Sequence, residues 1–156
     1  MGKVPFLLAG GFIPASWYNY YELKRESVIF ILFYLITVII IIVDQISKYW
    51  IRATLKVREK KVIWPGVLKL NHYQNSGAAF GIFKGYGRLF VPLAILILFV
   101  CIYMLETGEV SGRLIEIGMG LFVGGAIGNA IDRTLFNQVT DFIQFHFIKG
   151  IFNIAD

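Results

Sequence analysis

The sequence predicts an all-α membrane protein, a bundle of transmembrane helices with a small extramembrane β module between the first two spans. The first observation is composition: 57% of the 156 residues are hydrophobic and only 16% are charged, too few for the polar surface of a soluble domain. The second is a set of three charge-free runs that approach the length of about 20 residues needed to cross a bilayer. These runs are Ser27 to Val43, Leu89 to Leu105 and Ile117 to Ile131.

Aromatic residues flank the first run on both sides, as expected of rings that prefer the membrane–water interfaces. Trp17, Tyr18, Tyr20 and Tyr21 precede the run, and Tyr49 and Trp50 follow it. Residues 1–26 are treated as an N-terminal extension of unclear role, because their apolar stretch is short and broken by glycine and proline. Residues 27–156 are predicted to form the membrane domain.

The segment between the first and second runs is neither long enough nor apolar enough to cross a membrane. Its stretch KVIWPGVLKLNHY has alternating and β-branched residues on both sides of a Pro-Gly turn signal, which predicts a short hairpin or small sheet. The stretch NSGAAFGIF follows, with Gly77 and Gly81 around small residues. These glycines either allow close approach of a neighbouring chain or ligand, or simply belong to a loop.

The third run carries small and polar residues at helical spacing. One row contains Gly120, Gly124, Gly128 and Asp132, and the adjacent row contains Gly125, Asn129 and Arg133. A glycine row predicts close packing of another helix. Asp132 and Arg133 either cap the span at the interface or belong to a polar site. An amide one turn inside an apolar helix, such as Asn129, requires a partner within the bundle.

Four further polar residues stand in or beside apolar surroundings. Asp44 and Lys48 have the spacing of a helical ion pair, and they either stabilise only each other or help to position a polar site. Asp141, in VTDFIQF, and Asp156, in FNIAD, have no basic residue near them in the sequence. Two facing acids can share one proton and supply a general base and a general acid. Spacing alone does not separate this dyad from two ordinary interface residues in loops.

The remaining reactive residues predict no metal or thiol chemistry. Cys101 is the one cysteine, so a disulfide framework and a thiolate cluster are excluded. His72 and His146 stand far apart, and a structural or surface role is expected for each. The net charge of +5 indicates affinity for anionic lipid headgroups rather than nucleic acid.

Five motifs in order, VDQISK, NSGAAFG, GGAIGNAIDR, VTDFI and FNIAD, resemble those of lipoprotein signal peptidase, the type II signal peptidase of bacteria. The resemblance covers about Val28 to Asp156. It implies an intramembrane aspartic endopeptidase of the bacterial inner membrane, with its active site near the outer face. Its substrate would be a prolipoprotein, cut just before a cysteine that carries a diacylglyceryl group. Membrane lipids are the other expected partner. The resemblance implies no metal, no organic cofactor and no nucleic acid, and it leaves the oligomeric state open.

The resemblance also assigns residues. The catalytic carboxylates fall on Asp141 and Asp156. Positions that bind substrate or support the active site are Asn75, Asn129, Arg133 and Asn153. Motif positions with an architectural part are Asp44, Lys48, Gly77, Gly128 and Asp132.

Two features depart from the family pattern. A fourth transmembrane helix normally follows the second aspartate, so we expect a chain truncated before its last helix and poorly active alone. With a cytoplasmic N-terminus, eleven Lys and Arg residues lie outside and four inside, against the positive-inside rule. The alternatives are a non-catalytic truncated membrane protein or helical membrane subunit and, less favoured, a transporter with a proton-coupled acid pair.

Overall fold

The structure, a computed structural model, describes residues 15–77 and 83–156, and their side chains from residue 31 onward. The three α-helices are α1 (Ala15–Thr54), α2 (Phe90–Glu106) and α3 (Arg113–Phe136), and the three strands are β1 (Lys60–Trp64), β2 (Leu68–Asn75) and β3 (Val139–Phe145). A 3₁₀ turn at Gly87–Leu89 precedes α2. Within the described residues, Ile31–Thr54, Gly87–Glu106 and Arg113–Phe136 are long and apolar enough to cross a membrane. The predicted membrane bundle with a small β module is thereby confirmed.

The first and third helices extend beyond the charge-free runs at both ends. Asp44 and Lys48 do not end α1, because they pair with each other at 2.7 Å inside the protein and the helix continues to Thr54. At its other end, α1 begins at Ala15 and runs without a break through residue 26. The division of the chain after residue 26 stays a prediction.

The glycine row of α3 faces α1, as predicted. A Cβ on Gly120 would lie 2.9 Å from the Phe33 carbonyl oxygen, and a Cβ on Gly124 would lie 2.8 Å from Cβ of Ile40. The backbones therefore approach more closely than any side chain would permit. Because successive glycines meet successive turns of α1, these two helices run parallel. Asp132, three turns beyond Gly120, is thereby brought to the same end of the bundle as Arg52.

The β module is a three-stranded antiparallel sheet in the order β1-β2-β3. The hairpin formed by β1 and β2, with its turn at residues 65–67, confirms the prediction from the Pro-Gly signal. The third strand follows α3 and was not predicted. It corrects the expectation of a loop around Asp141, which pairs with Tyr73 in the ladder.

The sheet is fixed to the end of the helix bundle by an apolar cluster. Ile51 and Leu55, in and just after the last turn of α1, pack with Phe142 of β3, and Leu70 and Ile143 surround them. Burial of such side chains contributes on the order of 1.5–3 kcal/mol each. Strand β3 is therefore held beside the ends of α1 and α3, where the polar residues of both helices lie.

Candidate active site

Asp141 is a buried carboxyl held by two amides. Its side chain is on β3 and the residue is only 3% exposed. Asn153 Nδ2 donates to Oδ1 at 2.7 Å, and Asn75 Nδ2 donates to Oδ2 at 3.1 Å. The pKa of Asp141 is raised to about 6, mainly because the carboxyl group is buried; the two amide hydrogen bonds oppose this rise, and the nearby charge of Asp156 contributes to it.

Asp156 is exposed and accepts hydrogen bonds from two other donors. The Asn153 backbone N–H donates to Oδ2 and Asn129 Nδ2 donates to Oδ1, each at 3.0 Å. Asn153 Oδ1 also accepts from the Ala155 backbone N–H at 2.7 Å, which closes an Asx-type turn. Asn153 thus contacts both aspartates, Asp141 through its side chain and Asp156 through its backbone.

The segment that carries Asp156 is fastened to the protein at two points. Phe152 forms a β-bridge with Ile143, in which the Phe152 N–H donates to the Ile143 carbonyl at 2.9 Å. Further along, the Ala155 carbonyl oxygen occupies the space that a Cβ on Gly125 would need. This glycine, noted in the second helical row, therefore lets the segment lie directly on the α3 backbone.

Asn129 joins the aspartates to a buried cluster of charges. Its Oδ1 accepts from Lys48 Nζ at 2.9 Å and from Asn153 Nδ2 at 3.2 Å. Lys48 forms the predicted ion pair with Asp44, and neither side chain is exposed. A Cβ on Gly128 would lie 2.6 Å from Asp44 Oδ2, so this glycine makes room for the carboxylate. The expectation of a partner for Asn129 within the bundle is confirmed.

Asp132 is fully buried and connects α3 with α1 and β3. Its carboxylate lies 3.4 Å from Arg52 Nη1 and accepts from the Thr140 backbone N–H at 2.9 Å. Arg52 also donates to Thr140 Oγ1 at 3.0 Å. The sequence analysis did not single out Arg52 or Thr140. Arg52 lies four residues after Lys48, as Lys48 lies four residues after Asp44 on the same helix. This regular spacing was the sequence signal that could have identified Arg52.

Arg133 occupies the side of the site nearest α2. Its guanidinium lies 4.9 Å from the centroid of the Phe90 ring, a cation–π geometry. Arg133 Nη2 lies 3.4 Å from the Gly77 carbonyl oxygen, and the Gly77 N–H donates to Asn75 Oδ1 at 3.1 Å. The charges of Asp141 and Asp156 attract the guanidinium. Gly81, the other glycine of this motif, lies outside the described residues.

Three residues to which the sequence analysis gave no part in the site, namely His72, His146 and Cys101, take no part in the hydrogen bonds of the two aspartates. His72 is buried, with Nδ1 2.8 Å from the Leu55 carbonyl oxygen, which is a structural role. His146 is exposed, and Cys101 packs between helices with Phe33 and Val123. Over the described ranges, His, Cys, Asp and Glu form no group of three suited to a metal ion.

Comparisons with known proteins agree with this geometry. The family model for signal peptidase (SPase) II matches residues 36–156. A lipoprotein signal peptidase from Shouchella clausii is 42% identical over 123 residues, 79% of this chain and 82% of that protein. One from Lactobacillus johnsonii is 40% identical over 126 residues, with coverage of 80% and 82%. A solved bacterial membrane enzyme superposes with a TM-score of 0.73 at 35% identity, over 78% of this chain and 76% of that one. The chain belongs to the signal peptidase II family.

Proposed function

We propose that the chain is an intramembrane aspartic endopeptidase that removes signal peptides from bacterial prolipoproteins. Similarity to lipoprotein signal peptidases supports the reaction and the substrate class. The observation that carries the catalytic assignment is that Asn153 hydrogen-bonds both Asp141 and Asp156. A single residue thus holds two carboxyl groups together at one end of the helix bundle, beside the sheet.

The two carboxyl groups have different surroundings, and this difference assigns their roles. Asp141 is buried and its pKa is raised to about 6, so it keeps its proton to higher pH than an ordinary aspartate and serves as the acid. Asp156 is exposed and accepts two N–H bonds, which orient its carboxylate at a place that water can reach. Asp156 therefore serves as the base. Environments that separate two titratable groups in this way are typical of acid–base pairs in enzymes.

Cleavage proceeds by addition of water and elimination of an amine. Asp156 takes a proton from water as the water oxygen bonds to the scissile carbonyl carbon, and Asp141 gives its proton to the carbonyl oxygen. In the resulting diol, the C–N bond breaks as Asp156 returns its proton to the departing nitrogen. Asp141 recovers a proton from a diol hydroxyl as the new carboxylic acid forms. Both aspartates end in their starting states.

Neighbouring side chains suit the binding of an extended peptide. Asn75 and Asn129 orient the carboxyl groups through the hydrogen bonds already described. Arg133 lies between Phe90 and the Gly77 carbonyl, close enough to feel the charges of both aspartates, and there it can bind a substrate carbonyl. Gly77 brings backbone close to the same place.

The location of the site suits a substrate that is anchored in lipid. Asp141 and Asp156 lie beside the ends of two membrane-length helices, where a peptide bond next to a membrane-embedded segment would be presented. We further propose that the protein resides in the bacterial inner membrane and that the site faces outward. On this proposal the substrate cysteine carries a diacylglyceryl group that stays in the bilayer.

The test is cleavage of a diacylglyceryl-modified prolipoprotein by the full-length protein in lipid nanodiscs, followed by gel shift. Asp141→Asn and Asp156→Asn should each reduce the rate by about 10²–10⁴-fold while membrane insertion is unchanged. Glu109→Gln is the matched control, because Glu109 is an exposed acid in the turn between α2 and α3. Unchanged processing by either aspartate variant would show that the assignment is wrong and would favour the non-catalytic alternative.

A further inference from the structure

Lys48 makes one contact that its ion pair does not explain. The ammonium is fully buried, lies 2.7 Å from Asp44 Oδ2 and 3.9 Å from Asp132 Oδ2, and also donates to Asn129 Oδ1 at 2.9 Å. An ammonium has only donors, so the oxygen of the Asn129 amide must face it. The amide NH₂ then points the opposite way, toward Asp156.

We propose that Lys48 is a positioning residue for the cleavage reaction, one that fixes the orientation of the Asn129 amide so that it always donates to Asp156. The Asp156 carboxylate is thereby held in place by this donor, in the position from which it accepts a proton from water. This inference rests on the function proposed above, and it adds a role for a residue that does not itself touch the substrate or either aspartate's carboxylate.

The reversed amide orientation shows why Lys48 matters. Rotation of the Asn129 amide by 180° would place its NH₂ against the ammonium and its oxygen against the Asp156 carboxylate. Three hydrogen bonds would be lost: those from Lys48 and from Asn153 Nδ2 would become donor–donor contacts, and the one to the exposed Asp156 would become an acceptor–acceptor contact. The contact with Lys48 is the costliest of the three, because the ammonium is fully buried and water does not replace the lost bond. Without Lys48, a reversed Asn129 could accept a bond from protonated Asp156. That state would stabilise the form in which Asp156 cannot act as a base.

Asp44 has the complementary task of holding the ammonium in place. Its carboxylate contacts Gln45 Nε2 at 3.1 Å as well as Lys48, and it sits against Gly128 where a side chain would intrude. The other charged groups near Lys48 are Asp132, which Arg52 also contacts, and Asp141. Those that face Asp156 are Asp141 and Arg133. The position of Lys48 is thus set by α1 and α3 together.

The test compares Lys48→Met, Asp44→Asn and the double variant in the full-length protein. Lys48→Met leaves Asp44 buried without its counterion, so it lowers the thermal midpoint as well as activity. The double variant removes both charges and restores the thermal midpoint. If Lys48 only stabilises the fold, activity recovers with the midpoint. Our proposal expects kcat in the double variant to stay at least about tenfold below wild type with KM unchanged. It also expects the acidic limb of the pH–rate profile of the double variant to lie at higher pH than that of wild type.

A mutant cycle with Asn129→Ala tests the route of the effect. Because Lys48 acts through Asn129, Lys48→Met should add no further loss of kcat to Asn129→Ala. Multiplied losses, or wild-type kcat and pH profile in the Asp44→Asn/Lys48→Met variant, would overturn the role of Lys48. Cleavage that survives Asp156→Asn would overturn the proposed function itself, so the two failures are distinguishable.

Discussion

Substitution of Gly125 by alanine should disable catalysis without unfolding the protein. Gly125 lies on α3 where the segment that carries Asp156 crosses the helix. An added methyl group would occupy the position of the Ala155 carbonyl oxygen. Backbone cannot yield by a rotamer change, so the segment itself must move away from α3.

The size of the effect follows from the distance that the segment must move. Ordinary van der Waals contact to a Cβ begins at 3.4 Å, and restoring it requires the Ala155 carbonyl to retreat by about 1 Å. Asp156 is the next residue and moves with it, away from Asn129. A misplacement of about 1 Å in an active site lowers the rate by about 10²-fold. The helices keep their contacts, because Gly120 and Gly124 face α1 independently of this segment.

The assay measures single-turnover cleavage and thermal stability in parallel. Cys101 is the one cysteine of the chain and is buried, so a thiol-reactive fluorophore reports unfolding directly. Gly118→Ala is the matched control: it changes the same residue type in the same helix, and its Cβ would meet nothing within 4 Å. A Gly125→Ala variant with wild-type single-turnover rate would refute the reasoning, since the segment would then tolerate the displacement or lie elsewhere.

Two further predictions concern stability. Because the pKa of Asp141 is raised from 3.8 to about 6, the folded state binds more protons between these values and stability falls as pH rises through that window, by about 3 kcal/mol in total. Asp141→Asn removes this dependence on pH. The thermal midpoint of the variant minus that of wild type should therefore increase between pH 4 and pH 7. Parallel curves of midpoint against pH for the two proteins would contradict this. Gly124→Ala should cost about 1–3 kcal/mol, because its Cβ would lie 2.8 Å from Cβ of Ile40. A midpoint equal to that of Gly118→Ala would contradict the close packing of α1 on α3.

The features that the sequence predicted correctly are those encoded by local patterns. Each of them depends only on residues that are neighbours along the chain. They are the apolar runs of membrane length, the Pro-Gly turn signal and the row of glycines spaced four residues apart. The Asp44–Lys48 pair lies one turn apart on a single helix and was therefore visible as spacing. Asn129 was also visible, because an amide inside an apolar helix has few alternatives to a partner in the bundle.

The features that sequence reasoning missed depend on contacts between distant segments. VTDFIQF is rich in β-branched and aromatic residues, but the strand that it pairs with, around Tyr73, lies in the module before α2 and far away in the sequence. Gly125 stood in a recognised row, yet nothing local indicates that the Ala155 carbonyl would rest on it. The link from Lys48 through Asn129 to Asp156 likewise joins three segments. The proposed positioning role of Lys48 rests on these contacts, which the spacing of residues along α1 does not indicate.

The central claim is that Asp141 and Asp156 form a coupled pair in which Asp141 holds the proton. A pH titration of the Asp141 carboxyl carbon by ¹³C NMR, in the full-length protein and in its Asp156→Asn variant, tests this most directly. We predict a midpoint near the pKa of about 6 that moves to lower pH when the charge of Asp156 is removed. A midpoint near the ordinary value of 3.8, unmoved by that substitution, would contradict the account.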